Sequence, residues 1–87
     1  MEFYCFLCRS VTFAQRAISV LEHGGIPGRI IKMPQKYYST GCGYAVKVSS
    51  RFGMKAADVL HNAGFSVLKI YRGKDMDELA EVEYDLP

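Results

Sequence analysis

Apolar and polar positions along the chain fall into two matching halves. Phe3-Tyr4-Cys5-Phe6-Leu7-Cys8 is continuously apolar and rich in aromatics, the pattern of a short strand buried on both faces. Ser10 or Thr12 then offers a helix cap, and Ala14, Ala17, Ile18 and Leu21 recur at the spacing of one helical face. Gly24-Gly25 stops that helix, Pro27-Gly28 turns the chain, and Arg29-Ile30-Ile31-Lys32-Met33 predicts a second strand closed by Pro34. A polar loop over residues 35–43 leads into a third strand, Tyr44-Ala45-Val46-Lys47-Val48. Ser49 or Ser50 stands where it would cap a second helix, with Phe52, Ala56, Val59, Leu60 and Ala63 inward and Gly64 at its end. Val67-Leu68-Lys69-Ile70-Tyr71 predicts the fourth strand, and a short helix around Met76 to Val82, or an irregular extension, is expected beyond it.

The order β-α-β-β-α-β is satisfied by one right-handed split βαβ arrangement. The expected fold is α+β: a ferredoxin-like βαββαβ two-layer sandwich, an antiparallel four-stranded sheet with two helices on one face. Its domain would span residues 1–73, with 74–87 as an acidic C-terminal tail. The first and fourth strands look apolar on both faces, whereas the helices cover only one. The second face therefore needs the tail, a second subunit or a partner over it, and a homodimer is expected on this ground.

Eighty-seven residues allow one domain with a modest core, and a hydrophobic content of 49% argues against disorder. No apolar run approaches the ~20 residues that span a bilayer, so no membrane contact is expected. The opening Met1-Glu2-Phe3-Tyr4 lacks the basic, cleavable pattern of an export signal, and the expected location is cytoplasmic. The net charge of +2 hides an asymmetry: residues 1–73 balance at +7 and residues 74–87 at −5. Either an anionic partner or a tail folded back on its own domain accounts for it.

Three cysteines are too few for a disulfide framework and suit free thiols in a reducing compartment. In the expected topology the end of the first strand, the start of the first helix and the loop before the third strand share one end of the sheet. Cys8 and Cys42 should then be near neighbours, at a separation that could allow a bridge. Cys5 and Cys8, three apart on a strand, point to opposite faces, which suits core packing better than a metal or redox pair. No cofactor or metal is expected.

Cys42 differs from the other two, because it stands between Gly41 and Gly43 in Tyr37-Tyr38-Ser39-Thr40-Gly41-Cys42-Gly43-Tyr44. Such glycines permit positive φ, leave a sulfur open to approach and can aim successive N–H groups at one point. The first helix's N-terminus, with Lys36, Arg9 and Lys32 as the cations expected to lie nearby, would favour a thiolate. The same glycines could equally make a plain turn with Cys42 filling a small site. The residue pattern leaves both readings open.

The segment Ser39-Thr40-Gly41-Cys42-Gly43-Tyr44-Ala45-Val46-Lys47-Val48 resembles the signature of the selenium/sulfur (Se/S) carrier protein-like family. The resemblance runs to about Arg72, taking in the opening aromatic strand, the helix ending in Gly-Ile-Pro and the second helix ending in Ala-Gly-Phe. It implies a small bacterial or archaeal carrier or accessory protein rather than a true enzyme, with Cys42 and Gly43 as the functional pair. A persulfide or selenopersulfide on Cys42 would pass from a donor to an acceptor enzyme. Cys8 would then be either a resolving thiol or a core residue.

Other residues carry less. His23 and His61 both end helices, where a cation suits the dipole, and neither has a carboxylate placed to pair it with Cys42. Gly24-Gly25-Ile26-Pro27-Gly28 follows a helix and lacks the Lys-Ser/Thr of a phosphate loop. Tyr37 and Tyr38 could stack on bases, but the RNA-reading aromatics of this fold belong on the central strands. The competing functions are an interaction module that dimerises through its open sheet face, and a nucleic-acid binder that uses the basic body.

Overall fold

The fully apolar opening run becomes the middle of the sheet. A computed structural model of the chain describes residues 1–39 and 41–83. Strand β1 (Phe3–Leu7) is buried along its whole length. It pairs antiparallel with β3 (Tyr44–Ser49) on one side and β4 (Lys69–Gly73) on the other. Strand β2 (Gly28–Lys32) flanks β3, and β5 (Ala80–Val82) flanks β4, giving the order β2-β3-β1-β4-β5. Among the described residues the fold is thus α+β with two α-helices and five antiparallel strands, and the expectation of a four-stranded sheet is corrected by β5.

That fifth strand replaces the expected helix or irregular extension. Asp75 braces a tight turn, its carboxylate accepting the Asp77 N–H at 3.0 Å and its carbonyl the Glu78 N–H at 3.0 Å. The turn closes over Gly73, where a Cβ would lie 2.7 Å from a Leu79 methyl. The chain then runs back so that Ala80, Glu81 and Val82 face Arg72, Tyr71 and Ile70, and Glu81 reaches Lys69 at 3.7 Å. The acidic segment, as far as it is described, folds back on its own domain. Residues 84–87 of the expected tail lie outside the described residues.

Alternation along the strands sorts the side chains into two cores. On one face Tyr4, Phe6, Cys8, Val46, Val48 and Ile70 pack against α1 (Val11–His23) and α2 (Gly53–Asn62). On the other face Phe3, Cys5, Leu7, Ala45 and Tyr71 are buried with Met33, beneath Tyr37, Tyr38, Met76 and Leu79. The loop between β2 and β3 and the turn between β4 and β5 therefore cover the face that was expected to need a cover.

Helix ends follow two rules and break one expectation. Ser10 caps α1 by accepting the Phe13 N–H at 3.1 Å. Both helices stop in a Schellman motif, with Gly25 and Gly64 at positive φ and the following N–H of Ile26 or Phe65 bonded five residues back. No serine caps α2. Ser50–Phe52 form a 3-10 turn instead, and neither Ser49 nor Phe52 makes a side-chain cap bond. The entry is set by packing: Gly53 lies so close to Tyr4 that a Cβ would be 2.2 Å from its ring. Ala63, expected inward, is exposed, and Ala57 is buried in its stead.

Candidate functional site

The Cys42 loop closes the end of the sheet where β1 finishes and β3 begins. Cys8 N–H donates to the Tyr44 carbonyl at 2.9 Å, extending the β1–β3 ladder to the loop. Gly41 and Gly43 both have positive φ, at 86° and 78°, a conformation that side chains rarely adopt. Gly43 also has no room: a Cβ there would lie 2.3 Å from the Tyr38 ring. A Cβ on Gly41 would meet Leu68 Cδ1 at 3.3 Å and the Cys8 carbonyl at 3.9 Å. Thr40, in the middle of the sequence signature, lies outside the described residues.

Between these glycines Cys42 is half-buried, and its sulfur has two polar neighbours. The Tyr44 N–H donates to Sγ at 3.4 Å, and the thiol points at the Cys8 carbonyl, 3.8 Å away. The amide is a fixed donor that an anionic sulfur would keep. Of the three cations read from the sequence, Lys32 is the one that bonds Cys42. Its ammonium donates to the Cys42 carbonyl and lies over the Tyr44 and Tyr38 rings, at 4.8 and 5.3 Å. Lys36 turns to the Asp77 carbonyl, and Arg9 stacks on Phe13 at 4.9 Å.

Cys8 is the nearest other thiol, and its environment is of another kind. It is fully buried on the helix side, with its sulfur 3.4 Å from the Phe6 carbonyl. Burial pushes its pKa up to about 11, the proximity of Cys42 adds to the rise, and the Val46 backbone opposes it. Cys5 is fully buried on the opposite face, as the strand spacing predicts, and burial likewise pushes it up to about 11 against the pull of Lys47. All three cysteines are free thiols. Among the described residues no group of three or more His, Cys, Asp or Glu side chains could hold a metal ion.

His23 bonds the Ser19 carbonyl at the far end of α1, at 2.8 Å. His61 lines a groove of about 440 Å³ between α2 and the strands β4 and β5. Leu68, which is 43% exposed, is shared by this groove and the wall of Gly41. Sequence reasoning placed Tyr38 and Tyr44 in the segment around Cys42 but gave them no part in shaping it, and it missed Leu68. The cue lay in Tyr38 and Gly43 themselves, since a residue without a side chain leaves room for an aromatic ring from the same loop.

A half-buried thiol between two left-handed glycines, with one backbone amide on its sulfur, at the end of an α+β sheet, defines a small thiol protein. The sequence profile of the Putative Se/S carrier protein-like family matches residues 3–72, and the chain belongs to that family. No match was found among curated proteins or solved structures. Among the described residues no helix is long and apolar enough to cross a membrane.

Proposed function

We propose that this protein carries sulfur or selenium as a persulfide or selenopersulfide on Cys42 and delivers it to an acceptor enzyme. The single observation that carries this reading is the placement of Cys42 in the family-matched segment, with its sulfur at the Tyr44 amide and its loop held by Lys32. In loading, the Cys42 thiolate attacks the terminal chalcogen of a donor persulfide or selenopersulfide. A bond forms from Sγ to that atom, the donor's bond to it breaks, and the donor leaves as a thiolate. Delivery repeats the exchange, with an acceptor nucleophile attacking the terminal atom and Cys42 leaving as the thiolate. Neither step needs an oxidant or reductant.

Gly41 and Gly43 serve by allowing the turn, and Gly43 also by making room for Tyr38. Cys8 fits the role of a packing residue better than that of a resolving thiol, because burial keeps it protonated far above neutral pH. The order β2-β3-β1-β4 supports a ferredoxin-like topology with β5 as an added edge. Free thiols suit a cytoplasmic location. The interaction-module reading rested on an open sheet face, and that face is covered by the chain itself.

Incubation with a low-molecular-weight persulfide, followed by intact mass measurement, tests the proposal. One added sulfur atom is expected, lost in Cys42→Ser and retained in Cys8→Ala. Equal loading of the Cys42→Ser protein would overturn it.

A further inference from the structure

The Cys42 loop is tied to the far side of the sheet by contacts that the carrier chemistry does not use. Tyr71, on β4, donates its hydroxyl to the Tyr37 carbonyl at 2.8 Å, and the two rings lie 5.1 Å apart. The Tyr37 hydroxyl accepts the Leu79 N–H at 2.9 Å. Lys36 lies over the Tyr37 ring at 5.2 Å and donates to the Asp77 carbonyl. The next residue, Tyr38, is the one whose ring end fills the space beside Gly43. Residues 75–79, which hold this run in place, lie beyond the segment matched by the family profile.

We propose that Tyr37 and Tyr71 are positioning residues of the Cys42 loop, with the turn from Asp75 to Leu79 as the strap that holds them. Both tyrosine hydrogen bonds are partly buried against an apolar cluster, where a group that loses its partner finds no easy substitute. While they hold, Tyr38 stays on Gly43, and the peptides around Cys42 keep its sulfur between the Tyr44 amide and the Cys8 carbonyl. When either is lost, Tyr37 and Tyr38 shift together and the loop opens more often. The proposal takes from the preceding reading that Cys42 is the working thiol, but concerns only how far that thiol is exposed.

Site-resolved alkylation of the full chain by iodoacetamide, followed by peptide mass analysis, tests it. The readout is the plateau that the rate approaches as the thiolate fraction saturates, extrapolated from rates measured between pH 7 and 9, where the fold keeps its full stability and access sets the limit. Tyr37→Phe and Tyr71→Phe should each raise the Cys42 plateau about fivefold, the effect of removing one ordinary hydrogen bond from a local opening equilibrium. Cys5 and Cys8 should stay protected. An unchanged Cys42 plateau overturns the proposal, and so does an equal rise at all three cysteines, which marks general loosening. No cargo enters the assay, so a Cys42 that never accepts sulfur would leave this result standing, and a failure here would leave the loading result standing.

Discussion

Cys5, Cys8 and Cys42 share a side chain and little else. Two are sealed on opposite faces of the sheet, and the third sits half-open on a loop. Burial holds Cys5 and Cys8 as thiols with pKa values of about 11, against 9.0 for an ordinary cysteine. A raised thiol pKa means that the unfolded chain gives up its proton first. Stability is therefore full below about pH 9 and falls as the pH climbs toward 11, by on the order of 2 kcal/mol for each cysteine. Urea unfolding at pH 8 and pH 10.5 should show this fall, and Cys5→Ala should show a smaller one. Identical falls in the two proteins would mean that Cys5 does not contribute.

The two helices begin differently although both starts carry serines. Ser10 closes a hydrogen bond to Phe13, whereas Ser49 and Ser50 run into a 3-10 turn whose direction is set by Gly53 against Tyr4. Ser10→Ala should cost about 1 kcal/mol, the usual value of an N-cap, while Ser50→Ala should stay within about 0.5 kcal/mol. Thermal or urea unfolding of the pair checks this, and equal losses would contradict the difference in capping. Each helix ends as the glycine pattern predicts, because a Schellman motif needs only a local left-handed residue and an apolar one after it.

At the scale of the whole molecule, the two-layer expectation lacks a third component. The loop before β3 and the turn before β5 lie over the sheet face that the helices leave bare. Met76 and Leu79 are partly buried there, and losing them together with β5 should cost roughly 3 kcal/mol. A chain ending at Gly73 should therefore expose Cys5 to alkylation and self-associate through the uncovered face. Sedimentation velocity and thiol labelling measure both. A monomeric truncated chain with Cys5 still protected would show that the turn is not the cover.

The parts of this protein legible from its residues were those with local causes. Continuous apolarity marked β1, the 3.6-residue spacing marked both helices, and glycines marked their ends. The spacing of Cys5 and Cys8 put them on opposite faces, and topology put Cys8 beside Cys42. Packing between distant segments decided the rest. Lys32 rather than Lys36 bonds the Cys42 carbonyl, because Lys36 is drawn toward the β4–β5 turn more than 40 residues later. Ala80–Val82 of the acidic run became a strand because Ile70, Tyr71 and Arg72 offered it an edge, and a short segment takes its conformation from the partner it pairs with.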